Sequence, residues 1–392
     1  MLQRVLALLL ALGPPLSTAA APAVGAAAVG AAVGAAVGAA VGAPPVAAAA
    51  SAPVTALRIV GGLAGLNQYT RYEAPFWTET LPRLSQGALQ AEIVPFDRAG
   101  LRGQDMLRLI KLGAVPFGTA MLSISTAHAP LLSAIDLPGL NPDMASLRRV
   151  VAAFRPVLEQ QLREQMGIEL LALYAYPAQV MYCETAFSSF ADLKSRRVRV
   201  SSPLMADMVA AMHATPVLTG FDDILPKMQA NAIDCAVTGT MSGNTIGLHM
   251  VTSHLHPMAI SWGLSMFAAN GAAWAALPAG QRALIQRQLP QLEKAVWDEA
   301  DRETGEGIAC NRGDATCTRG KRGRMTVLKA TDADRRLLHA LLAEVVLPRW
   351  VERCGVQCAD LWNTKLASVT GLQARTAEVV MAPAPRPQPA KK

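Results

Sequence analysis

Two arginines near the middle of the chain are the strongest candidates for binding chemistry. Arg197 and Arg199 alternate with Val198 and Val200 in a short run typical of a β-strand, so the two guanidinium groups are predicted to share one face. A guanidinium group is planar, always charged and forms two parallel hydrogen bonds with a carboxylate. Either arginine could therefore hold an organic anion, although a surface arginine in a basic run would show the same pattern. Alternation alone does not choose between them.

Motifs of covalent or metal-assisted catalysis are missing from the sequence. We find no G-x-S-x-G, G-x-x-x-x-G-K-[ST] or H-E-x-x-H, and no G-x-G-x-x-G after a strand. His249, His254 and His256 form the one histidine cluster and are interpreted as loop residues near a turn rather than metal ligands. Cys183 and Cys235 lie in apolar strands and are interpreted as buried thiols or a disulfide. The sequence thus predicts no enzyme, no metal site and no cofactor.

The N-terminus predicts export. A positive charge, a short apolar run and then small residues form the pattern of a secretory signal peptide at 1–21. The apolar run is shorter than the roughly 20 residues that span a bilayer. An Ala/Val/Gly/Pro-rich tract follows at 22–56, with glycine recurring at every fourth position of its middle part. We interpret this tract as a low-complexity spacer, and an uncleaved membrane anchor is the alternative. The predicted location is the periplasm.

Four of the six cysteines fall near the C-terminus, at Cys310, Cys317, Cys354 and Cys358. An even set of cysteines in an exported protein predicts disulfides, whereas in a cytosolic protein these four could hold zinc. Because the signal peptide predicts export, we expect two disulfides. Local pairing within each segment is the first expectation, and pairing between the two segments is the alternative.

Strand-like and helix-like segments alternate along most of the 392 residues, of which 52% are hydrophobic and 17% charged. Strands are predicted at 57–60, 89–94, 117–122, 168–173, 178–182, 197–200, 215–218, 233–237 and 262–268. Helices are predicted at 68–86, 104–112, 142–165, 204–213, 222–231, 279–306 and 331–351, with Asp222 or Asp223 as a cap. Such alternation favours an α/β fold with mainly parallel sheets, in which ligands bind at the carboxyl ends of strands.

Several segments together resemble one known family. They read F-A-D-L-K-S-R-R-V-R-V at 190–200, A-T-P at 214–216, F-D-D-I-L-P-K-M-Q at 221–229, A-I-D at 232–234, and earlier G-L-R-G-Q-D-M-L at 100–107 and I-D-L-P-G at 135–139. In this order and spacing they resemble the solute-binding proteins of tripartite ATP-independent periplasmic (TRAP) transporters, of the C4-dicarboxylate-binding type. The resemblance covers about 57–300.

The resemblance implies a two-lobe periplasmic-binding-protein fold with a ligand cleft between discontinuous domains. We expect one lobe from 57–176 plus 265–300, the other from 177–264 plus 301–370 with the C-terminal helices, and a disordered tail at 371–392. The implied function is capture of a small organic carboxylate and its delivery to the membrane subunits of a TRAP transporter. The net charge of +7 is spread along the chain, so we expect no nucleic-acid partner. We also expect the protein to be a monomer. The alternative functions are a ligand-sensing receptor module and, less favoured, an exported hydrolase.

Residue by residue, the resemblance implies that Arg199 holds the ligand carboxylate. Gln179 stands where the family often has a second arginine, and Thr238 stands where it has a ligand-facing Asn. The remaining ligand-facing candidates are Phe221, Met121 and Trp262. Burying an unpaired charge is costly, so a site with one arginine predicts a monocarboxylate with an apolar or aromatic body rather than a small dianion.

Overall fold

The structure, a computed structural model, describes residues 54–125 and 129–375. The predicted signal peptide, nearly all of the predicted spacer and the last part of the predicted tail lie outside these residues. Thr55 and Ala56, which we assigned to the spacer, belong to the first strand. The folded part therefore begins slightly earlier in the chain than the sequence suggests.

The described residues form two sheets and a set of surrounding helices. The strands are β1 Thr55–Gly61, β2 Leu89–Pro95, β3 Phe117–Met121, β4 Ile168–Tyr174, β5 Gln179–Cys183, β6 Arg197–Val200, β7 Thr215–Leu218, β8 Cys235–Gly239, β9 His254–Ser261, β10 Ser265–Asn270 and β11 Thr326–Val327. The helices are α1 Leu81–Leu84, α2 Met106–Lys111, α3 Met144–Met166, α4 Pro203–Ala211, α5 Ile224–Gln229, α6 Thr240–Thr245, α7 Gly271–Ala276, α8 Ala279–Arg312, α9 Asp332–Leu341, α10 Leu347–Cys354, α11 Val356–Lys365 and α12 Ala367–Thr370.

Each sheet is built from separate parts of the chain. Sheet one has the order β2-β1-β3-β10-β4, and sheet two has the order β11-β9-β5-β8-β6-β7. In sheet one, β1 runs parallel to β2 and β3, while β10 is antiparallel to its neighbours. In sheet two, β6 runs parallel to β7 and β8, while β5 is antiparallel to β8 and β9. This mixed α/β architecture confirms the predicted two-lobe fold, with each lobe centred on one sheet.

The chain passes from sheet two back to sheet one through a short segment between β9 and β10. Here the buried Asp136 accepts the backbone N–H groups of Trp262 at 2.9 Å and Gly263 at 2.7 Å. Burial is the main cause that raises the pKa of Asp136 to about 7, although these backbone bonds act against it. Helix α8 also joins the lobes, because Glu293 accepts from Leu173 N in β4 and Thr304 accepts from Ala178 N just before β5. The inter-lobe crossings are thus anchored by side chains.

Several local predictions need correction. The segment predicted as one helix at 68–86 consists of π-helical turns, Gln68–Glu73 and Phe76–Thr80, followed by α1. Helix α5 begins at Ile224, and neither Asp222 nor Asp223 caps it through a side-chain bond. At the C-terminus, Ala374 is buried and both its N–H and its C=O bind the Asn363 side chain on α11. Residues 371–375 therefore pack on the folded protein, whereas we predicted that the disordered tail begins at residue 371.

Candidate ligand-binding site

Arg199 lies on β6 and is almost completely buried, with 4% of its surface exposed. Strand β6 lies between β7 and β8, and the guanidinium group reaches carbonyl oxygens at the carboxyl ends of both neighbours. Its Nε and Nη2 donate to Thr219 O at 3.1 and 3.0 Å, and Nη1 donates to Val237 O at 2.8 Å. Because β6, β7 and β8 are parallel, this is the edge at which ligands bind in open α/β sheets.

No carboxylate neutralises Arg199 within the described residues. The guanidinium group forms no ion pair there, and the closest electrostatic support comes from Asp223, whose charge raises the pKa of Arg199. Burial acts more strongly in the opposite direction and lowers that pKa to about 10. One N–H on each Nη remains outside the three bonds to protein carbonyls. Arg199 is therefore a buried cation at a sheet edge, and no carboxylate in the described part of the chain forms an ion pair with it.

Arg197, the competing candidate, has a structural partner. Its Nε donates to Asp234 Oδ2 at 3.1 Å, its Nη2 donates to Asp234 Oδ1 at 2.5 Å, and Nη1 donates to Asn231 O at 2.6 Å. Its side chain is 42% exposed. Arg197 is thus a solvated, paired arginine, and of the two it is Arg199 whose surroundings suit an anionic ligand.

Gln179, Thr238 and Phe221 lie around the same edge of sheet two. Gln179 opens β5 opposite Gly239, and Thr238 is the buried neighbour of Val237 on β8. Gln179 Nε2 donates to Pro177 O at 3.2 Å. A Cβ atom at Gly263 would lie 3.1 Å from this Nε2, so the amide packs against the inter-lobe crossing. Phe221 is half-buried in the loop after β7, two residues beyond the Arg199 acceptor Thr219.

The two remaining candidates lie at the end of β3 and in the crossing segment between β9 and β10. Met121 is the last residue of β3 in sheet one, where it pairs with Ser265 and is partly exposed. Trp262 lies in the crossing segment and is 2% exposed, and its indole N–H donates to Asn141 O at 2.9 Å. The polar group of Trp262 is thereby used inside the protein, and the indole packs in the core with the crossing.

A buried carboxyl group on the helical turn Gln68–Glu73, beside sheet one, was not among the predicted residues. Glu73 is 2% exposed, accepts from Gly62 N at 2.8 Å and accepts the hydroxyl proton of Thr119. Burial raises the pKa of Glu73 to about 7, against the effect of those two hydrogen bonds. A Cβ atom at Gly62 would lie 3.1 Å from the Tyr176 hydroxyl and 3.2 Å from Glu73 Oε2, which accounts for glycine directly after β1. In the sequence, the Gly61-Gly62 pair was the one available signal of this close packing.

Two further carboxylates follow strand ends on opposite sheets. Asp97 follows β2, and both of its oxygens accept from Ala64 N at 3.2 Å. Asp222 adjoins Phe221 in the loop after β7. Partial burial is the largest cause that raises the pKa of Asp222, and the negative charges of Asp97 and Asp223 raise it further. The negative charge of Asp97, which follows a strand of sheet one, thus acts on Asp222, which follows a strand of sheet two.

Comparison with known proteins now identifies the family. The model of bacterial extracellular solute-binding protein, family 7, matches residues 63–309, more than half of the chain. The chain belongs to this family. This agrees with the TRAP resemblance of its sequence motifs.

Solved structures share the fold at low identity. A Bordetella pertussis extracytoplasmic solute receptor binding pyroglutamic acid is 21% identical with a TM-score of 0.71, covering 80% of this chain and 99% of that one. A TRAP periplasmic solute binding protein from Desulfovibrio salexigens with bound orotic acid is 16% identical, with the same TM-score of 0.71 and the same coverage of 80% and 99%. A solute-binding protein of Roseobacter denitrificans is 24% identical over 194 residues, which span 48% of this chain and 59% of that relative.

The cysteines pair locally, and two of the three disulfides lie beyond the family match. The structure joins Cys310 to Cys317 and Cys354 to Cys358, which is the first of the two pairings considered. Cys183 and Cys235 form a third disulfide between directly paired positions of β5 and β8. The family match ends at residue 309, one residue before Cys310.

The histidines do not form a loop cluster as expected. His254 and His256 lie on β9, and that part of the prediction is wrong. His256 is fully buried, its ring lies 4.1 Å from that of Phe190, and its Nε2 lies 3.4 Å from Asp334 Oδ2. Within residues 54–125 and 129–375, no three His, Cys, Asp or Glu side chains are grouped to hold a metal ion. The same part of the chain holds no helix with the length and apolarity of a membrane span.

Proposed function

We propose that this family 7 protein captures a small organic carboxylate at Arg199 and delivers it to the membrane permease of a TRAP transporter. The observation that carries the proposal is a buried guanidinium group at the carboxyl ends of three parallel strands that pairs with no carboxylate of the described residues. Bidentate bonding to a carboxylate supplies the missing charge and uses the remaining N–H groups. Closure of the two lobes about their crossings would then enclose the ligand.

The ligands of structural relatives support this class of solute. Relatives with the same fold hold pyroglutamate, malonate, succinate and L-galactonate, each of which bears a carboxylate. In this chain, neutral Gln179 lies at the same edge of sheet two as Arg199, and its Nε2 donates to Pro177 O. We therefore propose that the physiological ligand has one carboxylate rather than two.

Titration calorimetry with a panel of carboxylates tests the proposal. The panel contains pyroglutamate, malonate, succinate and galactonate, and the protein is first unfolded and refolded to remove bound solute. Arg199→Ala should lose affinity for every binder by roughly 30-fold or more, as expected when a buried partner of a charge pair is removed. Arg197→Ala is the matched control on the same strand and should bind normally. Unchanged affinity in Arg199→Ala would refute the proposal.

Export and partner choice complete the proposal. We propose that the segment 1–21 directs export to the periplasm and that the mature protein acts as a monomer. A ligand-sensing receptor module would use the same fold and the same site, so binding data do not separate it from a transport protein. Cross-linking of the liganded protein in membranes separates them, because a transport protein should be captured with a multi-span permease.

A further inference from the structure

Basic residues are spread along the chain, but one exposed loop after α8 concentrates them. This basic loop, residues 318–325, reads T-R-G-K-R-G-R-M and contains four basic residues and no acidic one. Arg319 pairs with Glu299 on α8, whereas Lys321, Arg322 and Arg324 are exposed and form no ion pair within the described residues. A single exposed cation of this kind is ordinary at a protein surface, but three within four positions are a local excess of positive charge.

The backbone of the basic loop is fixed on α6 and α8. The buried Asn244 of α6 donates to Lys321 O at 2.7 Å and accepts from Lys321 N at 2.8 Å. Gly323 N donates to Cys310 O at 2.8 Å, and the Cys310–Cys317 disulfide closes the chain just before the loop. The cations are thus presented from an ordered backbone, which lowers the entropy lost when they bind a partner.

Glycine allows the basic loop to lie this close to the helices. A Cβ atom at Gly320 would lie 2.7 Å from Asn244 Oδ1, and one at Gly323 would lie 2.5 Å from Asn311 O. Both distances are too short for any other residue, so the two glycines face the protein. The three cations beside them are exposed. The loop therefore has a glycine side turned to the helices and a basic side turned to solvent.

The acidic side chains that contact the basic loop or precede it already have partners. Glu306 on α8 accepts from Arg319 N at 2.7 Å and pairs with Arg302. Asp314, the one acid between α8 and the loop, pairs with Arg312. Neither carboxylate pairs with the three outer cations.

An exposed methionine adjoins the basic loop. A Cβ atom at Gly323 would lie 2.9 Å from His249 Cβ, so the loop packs against His249. The next residue, Met250, has 66% of its surface exposed. The charge of Lys321 also acts on His249, whose pKa is lowered first by burial and then by this charge. A large exposed apolar side chain beside cations is typical of protein surfaces that lie on membranes.

We propose that the basic loop and Met250 form a docking surface for anionic phospholipid headgroups. Guanidinium and ammonium groups bind phosphate, and Met250 would enter the boundary between headgroups and acyl chains. Protruding side chains suit a fluid lipid surface, which adapts to them, whereas a protein partner needs a complementary shape. Such docking would hold the protein at the membrane in which a permease lies. The inference is independent of Arg199 and of the solute.

Co-sedimentation of the full chain with lipid vesicles tests the inference. We expect binding to vesicles of phosphatidylcholine mixed equally with phosphatidylglycerol, weak binding to phosphatidylcholine alone, and release in concentrated salt. Lys321→Gln, Arg322→Gln and Arg324→Gln combined should lower the partition coefficient on the order of 100-fold, because each basic residue near an anionic surface contributes roughly fivefold. Lys321→Arg keeps the charge and should bind normally.

Control variants match these changes elsewhere on the surface. Arg108→Gln, Lys111→Gln and Arg287→Gln combined remove the same charge from exposed positions and should leave the partition coefficient nearly unchanged. Met250→Gln should lower the partition coefficient by about fivefold. Leu112→Gln, which replaces a leucine that is 64% exposed, should not lower it.

Labelling of lysine amines gives a second readout that holds even if the N-terminal tract anchors the chain. Acetylation of Lys321, measured by mass spectrometry, should fall severalfold in vesicles with phosphatidylglycerol relative to phosphatidylcholine alone, while acetylation of Lys111 stays the same. Unchanged labelling of Lys321, or equal losses of binding in the loop variant and its charge control, would overturn the inference. Binding only to vesicles that contain the permease would also overturn it, since the partner would then be a protein.

Discussion

Replacing Arg199 by methionine should separate binding from folding. Methionine has a similar length and no charge, so it fills the buried space without a group that requires a counter-ion. The fall of the Arg199 pKa to about 10 corresponds to about 3 kcal/mol against the charged form at neutral pH. The sign follows because the unfolded chain holds this proton more tightly than the folded protein, in which the arginine begins to lose it near pH 10.

The substitution also removes three hydrogen bonds to Thr219 O and Val237 O. At about 1 kcal/mol each, their loss roughly cancels the relief of burying the charge. We therefore expect Arg199→Met to change the free energy of unfolding without ligand by no more than about 1 kcal/mol, whereas truncating a large buried side chain usually costs about 2–5 kcal/mol. Carboxylate affinity should fall by about 2–5 kcal/mol.

Urea unfolding of ligand-free protein measures the free energy of unfolding, and calorimetry measures the carboxylate affinity. The increase of the melting temperature with ligand should also disappear in Arg199→Met, because only binding to the native state produces it. Arg197→Met is the control and should retain this increase. A large loss of stability with unchanged affinity would refute the reasoning, since it would make Arg199 a structural residue.

Three further predictions follow from the described contacts and the sequence. Burial raises the pKa of Glu73 from 4.5 to about 7, so its contribution to stability is present below pH 4.5 and is lost as the pH rises through 7. Between pH 5 and 8, urea unfolding should therefore give Glu73→Gln a free energy of unfolding that exceeds that of the unmodified protein by up to about 3 kcal/mol. Removing the Cys183–Cys235 disulfide should cost about 4 kcal/mol by loop entropy and removing the one between α10 and α11 about 2, measured by the same method under non-reducing conditions. N-terminal sequencing of native protein should start within 19–23, and an intact initiator methionine in the membrane fraction would support the anchor instead.

Much of the fold could be predicted because its strands are short apolar runs between turn residues. The strand predicted at 168–173 and the helix predicted at 142–165 agree closely with β4 and α3, since Gly167 separates them in a left-handed conformation. Strand β9 escaped prediction because its histidines look like loop residues. His256 is tolerated in the core because Asp334, far away in the chain, lies beside it. A pattern in sequence does not show such a partner.

The site was only partly predictable for the same reason. Alternation placed Arg197 and Arg199 on one face, but Asp234, 37 residues later, decides which of them is paired. Trp262 stays a predicted ligand-facing residue, and the structure adds that its indole N–H donates to Asn141 O, 121 positions away in the chain. Both of these contacts join residues far apart in the chain, which a local pattern does not show.

The position of the Cys183–Cys235 disulfide relates stability to the site. It joins the last residue of β5 to the first residue of β8, at the end of these strands opposite Gln179 and Gly239. Cys235 also pairs with Val198, next to Arg199 on β6. A slip of one residue in β8 would move Val237 O away from the guanidinium group and turn Thr238 to the other face. The disulfide therefore fixes the register on which the Arg199 hydrogen bond to Val237 O depends, and its entropic stabilisation offsets part of the cost of keeping this arginine buried.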